Sequence, residues 1–358
     1  MNSESVKFSI DQETGMLRED DAKKYFSIFG WFCFAFFGIS FVFSLLVSAL
    51  VAEVAPALFG HSWFSHAVSF IGLYAVALPI ALPILKKLPK VDPLEDKLGF
   101  AKLLGAICVS FALMLIGNMI TQNLILIFEA AKGTGLENPV AVATDGAPWW
   151  STLIFMVILA PILEEVFFRK IVCQRLLPLG EGFAIVLSSI FFALCHGNFF
   201  QIFYAFALGC LFSLIYVKTG KLRYTVILHM AVNFMGSLVS SLILKFVKLE
   251  DILKEYESLM KLVEGANTEE AQGAVVDALM QFATSFGPQL IVLLVYEVVL
   301  YGLAITGTVL LLTKFKKIRL TKGLLTPPSK SRAGVILLNS GIAASIALFT
   351  IVLILSLI

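Results

Sequence analysis

Long apolar runs separated by short polar connectors recur along most of this chain, and their lengths predict its elements. They lie near Ile28–Val51, Trp63–Leu85, Leu103–Phe128, Trp149–Cys173, Phe183–His196, Phe199–Val217, Tyr224–Val247, Gln289–Thr313 and Val335–Leu357. A run of about 20 apolar residues is what an α-helix needs to cross roughly 30 Å of hydrocarbon. A helix also satisfies its own backbone donors and acceptors where no water is present. The expected fold is all-α, a polytopic transmembrane helical bundle of about nine spans. The fifth run is short, so tilt, or near-continuity with the sixth, is expected there.

The connectors alternate in charge. Lysines and arginines crowd the N-terminal segment (Lys23, Lys24) and the second (Lys86, Lys87, Lys90), fourth (Arg169, Lys170, Arg175), sixth (Lys218, Lys221, Arg223) and eighth connectors (Lys314, Lys316, Lys317, Arg319, Lys322). The first, third and fifth carry almost none. By the positive-inside rule the N-terminus is expected in the cytoplasm and the C-terminus outside, with an odd number of spans between them. The polar, acidic start and the length of the first apolar run favour a membrane anchor over a secretory leader.

Three regions are expected: a tail and three spans over 1–147, a four-span core over 148–248, and a polar segment with two spans over 249–358. From Leu249 to Phe286 acidic residues outnumber lysines, while Ile252, Leu253, Tyr256, Leu259, Met260 and Val263 recur at helical spacing. That pattern predicts one amphipathic helix against the outer membrane face, serving as a connector or as a lid.

Composition agrees with this class. Hydrophobic residues make up 59% of the chain and charged residues 15%, at a mean hydropathy of +0.91, well beyond a soluble domain. A net charge of +2, dispersed over short connectors, does not suggest a nucleic-acid partner. The expected surroundings are the lipid bilayer. Cys33, Cys108, Cys173, Cys195 and Cys210 lie in or beside apolar runs without metal-binding spacing, and read as small hydrophobes.

Few strongly polar side chains occur in the central spans, and they stand out for that reason. Glu164 and Glu165 are adjacent on the fourth span, and even one acid at mid-membrane costs about 2.5 to 3.5 kcal/mol on insertion scales. Arg169 is one turn from Glu165, at the i,i+4 spacing of an intrahelical ion pair. Glu164, rotated by about 100°, is free to face another space. His196 ends the fifth span, and His229 and Asn233 share one face of the seventh. At 1.5 Å per residue, Glu164 lies roughly 8 to 16 Å from the basic-connector face, His229 about 8 Å, Asn233 about 14 Å and His196 nearer 20 Å. Taken singly, a Glu–Arg pair can simply staple helices and a histidine can simply bond a neighbour. Glu297, inside the eighth span, reads as structural, and His61 and His66 as interfacial.

In order along the chain these residues spell EExxxR (Glu164, Glu165, Arg169), FxxxH (Phe192, His196) and HxxxN (His229, Asn233). The stretch from Ala147 to Leu238 resembles the core of the CPBP intramembrane proteases. That family includes the type II CAAX prenyl endopeptidases and the bacterial bacteriocin-processing and self-immunity proteins. Lys170 stands where bacterial members commonly have glycine. The resemblance implies hydrolysis of a peptide bond in a peptide or membrane-protein substrate by a glutamate-activated water, with no cofactor. In that scheme Glu164 is the general base and His196 holds the water or shares its proton. His229 and Asn233 donate to the oxyanion, and Glu165 with Arg169 supports the base. Physical chemistry is compatible with each role: desolvation suits a carboxylate to act as a base, and preorganised donors stabilise developing charge.

Three other readings stay open at this stage. A zinc-dependent membrane protease has ligand-competent residues available, but HExxH is absent and no two histidines share a helix face. A non-catalytic scaffold or bacteriocin immunity factor of the same fold has no need for such costly polar groups. A proton-coupled transporter needs an inverted repeat that is not evident. For a protease, the reacting cavity is expected to open towards the cytoplasmic half of the bilayer.

Overall fold

The computed structural model describes residues 6–133, 135–144, 147–328 and 332–357. The tips that the expected orientation concerns, residues 1–5 and Ile358, lie outside them. Seven helices are long and apolar enough to cross a membrane: α1 (Glu19–Val54), α2 (Trp63–Leu85), α3 (Phe100–Lys132), α4 (Trp149–Leu179), α6 (Ile202–Thr219), α7 (Leu222–Val247) and α9 (Glu269–Lys314). Two shorter apolar helices, α5 (Glu181–Leu194) and α10 (Ser340–Leu355), join them, and α8 (Leu249–Glu264) is polar on one side. The chain is a polytopic, multi-pass helical membrane protein. Among the described residues the only extended pairings are isolated bridges, Ile10–Leu17 and Gly180–Lys322.

Three boundaries differ from the sequence expectation. The amphipathic helix is present as α8, with Ile252 and Leu259 buried. The rest of the 249–286 segment, however, is not a connector. From Glu269 it is the continuous start of the eighth span, which runs 46 residues through Pro288. At 1.5 Å per residue this helix is about 69 Å long, so about half of it projects beyond the hydrocarbon. The ninth run is broken: Asn339 Oδ1 accepts from the amide of Ile342 at 3.0 Å and caps α10, leaving Arg332–Leu337 as a separate short helix. A side-chain acceptor placed on a free helical N–H is a standard helix start. Finally, α5 does not run into α6. It ends at Leu194, and the chain turns through Gly197 at φ 65°.

Aromatic rings fill the interface of α1, α4 and α5. Phe36 stacks on Phe167 with centroids 4.3 Å apart, and Phe191 meets Phe32, Phe36, Phe167 and Phe168 within about 6 Å. Close backbone approach holds the outer helices. A Cβ on Gly30 would lie 2.2 Å from the backbone of Gly341, which joins α1 to α10. A Cβ on Gly117 would lie 2.5 Å from Cα of Tyr204, which joins α3 to α6. With no water to expel between helices, such small-residue contacts supply the packing.

The end of the bundle that carries the basic connectors is laced together by backbone hydrogen bonds. Glu181 N donates to Thr321 O at 3.1 Å, Leu325 N to Pro178 O at 2.8 Å, Leu17 N to Thr326 O at 2.9 Å, Val91 N to Gln174 O at 3.0 Å and Asp96 N to Thr219 O at 3.0 Å. The Glu181 carboxylate adds bonds from Lys218 Nζ at 2.6 Å and Thr321 N at 2.8 Å.

Candidate active site

The site is built on a helix whose winding changes twice. In α4, wide π-turns over Thr152–Leu159 and Val166–Cys173 flank a short α-helical stretch, Ala160–Glu165. Wide turns also occupy Ile71–Ala77 of α2 and Phe234–Val239 of α7, directly after Asn233. A π-turn shifts the azimuth of the side chains that follow it and is recurrent at functional positions. Here the first precedes Glu164 and Glu165 and bears on where they point, and the second carries Arg169.

The adjacent glutamates face different surroundings. Glu165 is fully buried and holds Arg169, whose Nε donates to Oε2 at 2.9 Å. The same guanidinium donates from Nη1 to Ser213 Oγ at 2.7 Å, and Ser213 lies 2.9 Å from Ser188 Oγ. Its face lies 5.2 Å from the ring centre of Phe192, a cation–π distance. The ion pair expected from the i,i+4 spacing is therefore present, and its remaining hydrogen-bonding capacity is met by serines on α5 and α6. Meeting that capacity is what makes a buried pair tolerable.

Glu165 also faces His229 across the bundle. Oε1 lies 3.1 Å from Nδ1 of that ring. A carboxylate only accepts, so Nδ1 carries a proton and Nε2 is the atom left for other work. Nε2 lies 3.8 Å from Oε2 of Glu164. That is too long for a direct hydrogen bond, but it is a separation that one oxygen bonded to both groups can bridge. Glu164 Oε2 is buried with no hydrogen-bond partner among the described residues.

Glu164, His196 and Asn233 line one cavity of about 480 Å³. His196 sits in the turn after α5, and its Nδ1 lies 2.8 Å from Phe192 O. The carbonyl again fixes the proton on Nδ1, leaving Nε2 as the free ring atom. Asn233 Nδ2 donates to Met156 O at 2.8 Å, which uses one amide hydrogen and leaves the other. Phe192 stands edge-on to both imidazoles, with centroids 4.9 Å from His196 and 5.8 Å from His229. The arrangement thus gathers a carboxylate oxygen without a hydrogen-bond partner, two imidazoles whose Nε2 atoms make no hydrogen bond among the described residues, and a carboxamide with a spare N–H. Among the described residues no three His, Cys, Asp or Glu side chains converge as a metal ion would require.

Several contributors lay outside the sequence expectation. His66, expected to be interfacial, lines the cavity with its ring stacked on Phe155 at 5.8 Å. Tyr204 also lines it, and its hydroxyl accepts from Gln201 Nε2 at 2.7 Å. The walls include residues far outside 148–248, among them Ser40 on α1, Tyr74 on α2 and Val352 on α10. The only signal for these in the sequence is polar residues inside apolar runs. His61 is exposed near α2, and Glu297 is half-buried on α9 beside Tyr296, whose hydroxyl donates to Met235 O at 3.1 Å.

The lining of the cavity is unevenly placed along the bundle. From its deepest residue on α4, Phe168, its lining runs past Glu164 to Phe155, from Asn233 to Ser237 on α7, and to His66 near the start of α2. On each helix that direction leads away from the basic connectors. The cavity therefore extends from the middle of the bundle towards the end opposite the laced one. Depth counted from those connectors could not reveal this, because it places the polar groups without showing which neighbouring side chains leave room beside them.

Fold and site together define a helical membrane protein with a chamber among its spans into which a few polar side chains project. Comparison with known proteins adds what the chain is similar to: residues 146–235 match the family model of the type II CAAX prenyl endopeptidases, Rce1-like. The chain is 35% identical over 122 residues to the membrane-embedded CAAX protease MroQ of Staphylococcus aureus, covering 32% of this chain and 44% of that protein. It is 25% identical over 196 residues to YdiL of Bacillus subtilis, a candidate membrane peptidase, covering 54% of this chain and 77% of that protein. The chain thus spans less than half the length of the first relative. No solved structure matches it.

Proposed function

We propose that this chain is a membrane-embedded endopeptidase, with its chemistry carried by the 148–248 segment and its chamber walls completed by the spans on either side. Glu164 takes a proton from a water as the water oxygen forms a bond to the scissile carbonyl carbon. The carbonyl oxygen becomes the oxyanion, which accepts from Asn233 Nδ2 and from His229 Nε2. For the latter to donate, the His229 ring carries a proton on Nε2 as well as on Nδ1, and Glu165 accepts from Nδ1. Collapse of the tetrahedral centre breaks the C–N bond, and the leaving nitrogen receives the proton held by Glu164. His196, with a lone pair on Nε2, orients the water. Glu165 and Arg169 hold His229 and do not touch the reacting atoms.

The observation that carries this reading is the buried Glu164 Oε2, which has no hydrogen-bond partner among the described residues and lies 3.8 Å from His229 Nε2. Leaving such a group unsatisfied is costly, and a scaffold gains nothing from that cost. The match of residues 146–235 to the Rce1-like family model supports the same reaction class. The substrate is a peptide or a membrane-protein segment. We further propose a cytoplasmic N-terminus and an extracytoplasmic C-terminus, from the alternation of basic connectors.

Glu164→Gln preserves size but cannot accept a proton, so it abolishes cleavage while the purified protein retains its folded state and substrate binding. Full biological function in that variant would establish a non-catalytic scaffold or immunity factor. Cleavage lost to chelators and restored by zinc would instead make Glu164 and the histidines metal ligands.

A further inference from the structure

Four serines on the cavity wall differ from the hydroxyls elsewhere in the spans. Inside a membrane helix a serine or threonine commonly satisfies its hydroxyl on the carbonyl one turn back. Ser110 does so to Ala106 at 2.9 Å, Thr121 to Gly117 at 3.0 Å and Thr219 to Ile215 at 2.7 Å. Ser40 and Ser44 on α1, Ser69 on α2 and Ser237 on α7 all line the cavity. None of the four side-chain hydroxyls makes a hydrogen bond among the described residues. Three separate helices thus turn hydroxyls without a hydrogen bond into one space, which the Glu164 carboxylate, one oxygen of which likewise lacks a hydrogen bond, also lines.

These serines lie on the far side of Glu164 from the basic connectors. Ser69 is about 9 Å along α2 from Trp63, and Ser44 about 15 Å short of Val54, at 1.5 Å per residue. Ser237 is one turn beyond Asn233, towards the distal end of α7. The proximal end is sealed by the Gly180–Lys322 bridge and the hydrogen bonds around Glu181. A hydrolase in lipid needs a route for water and for an extended peptide whose own N–H and C=O groups must be satisfied on the way. Uncommitted hydroxyls on several walls meet both needs.

We propose that water and substrate enter this site from the extracytoplasmic face, through a hydroxyl-lined mouth formed by α1, α2 and α7, so that the substrate is a peptide segment exposed on that side of the membrane. The inference rests on the endopeptidase reading and on the positive-inside orientation, and labelling tests it without reference to cleavage.

Single Ser44→Cys, Ser69→Cys and Ser237→Cys variants, in a background without Cys33, Cys108, Cys173, Cys195 and Cys210, are exposed to a charged, membrane-impermeant maleimide. Right-side-out and inside-out vesicles are compared, with Gly60→Cys and Lys221→Cys as markers of the two faces. If the background fails to fold, the same variants are made with the native cysteines retained and the added label is read by intact mass. The three mouth positions should label in right-side-out vesicles together with Gly60→Cys, and Lys221→Cys only in inside-out vesicles. Mouth positions that label with Lys221→Cys would overturn the opening. Mouth and Gly60→Cys labelling together in inside-out vesicles would overturn the extracytoplasmic assignment. Either failure is distinct from that of the endopeptidase reading, which the Glu164→Gln cleavage assay decides.

Discussion

The two ends of this bundle are held by different means. At the basic end, backbone groups from the segments around Leu17, Val91, Pro178, Thr219 and Thr321 bond one another directly. At the other end, the recorded links between segments include long lysines reaching carbonyls, Lys245 to Ala147 O at 2.7 Å and Lys132 to Leu357 O at 2.9 Å. The first kind fixes backbone to backbone and leaves little slack. The second swings on side chains with several rotatable bonds. The polar chamber extends from the middle of the bundle into the less constrained half, its deepest groups resting on the rigid one. A site that must admit a chain segment and still hold donors in place needs both properties.

That contrast assigns different outcomes to substitutions along the axis of the molecule. At the junction of the halves, Arg169→Ala leaves Glu165 buried without its cation. It should lower folding stability by about 3 to 5 kcal/mol and activity with it, read by thermal unfolding in detergent alongside a cleavage assay. Unchanged unfolding with lost cleavage would move Arg169 into the chemistry. Within the chamber, Asn233→Ala removes one oxyanion donor, so kcat should fall by about 10² to 10³ while a slow rate persists. Complete loss with misfolding would mean that its bond to Met156 O matters more than its spare N–H. At the laced end, a Cβ on Gly323 would lie 2.1 Å from Pro178 O and 2.3 Å from Gly180 N. Gly323→Ala should cost about 1 to 3 kcal/mol of stability and leave cleavage per folded molecule unchanged. An equal loss of specific activity would show that the two ends are coupled.

What was legible in the sequence was local or periodic. Helix runs, the i,i+4 pairing of Glu165 with Arg169, the shared face of His229 and Asn233 and the amphipathic α8 all follow from 3.6-residue spacing. The contact between His229 and Glu165 does not, since it joins α7 to α4 and depends on how those helices cross. The π-turns were hidden as well. They leave the apolar pattern of α4 nearly unchanged while shifting which carboxylate faces which neighbour. Ser40, Ser69 and Tyr204 carried no motif, because their part arises only when separate spans converge. The continuation of α9 back to Glu269 was masked by its acidic, soluble-looking first turns, which project beyond the lipid and so need no apolar surface all round.

The brevity of α10 has a consequence for the bilayer itself. Its 16 residues rise about 24 Å, several ångströms less than the hydrocarbon thickness, and Ile346, Ile351, Ile354 and Leu355 present apolar surface outward. Lipid beside this helix must compress, or headgroups must sink towards Asn339 and Ser340, each at fractions of a kcal/mol per ångström. Because Val352 of the same helix lines the chamber, that deformation falls next to the site. Acyl-chain length thereby becomes a variable acting on the protein: thick membranes load this flank with elastic strain, and thin ones relieve it.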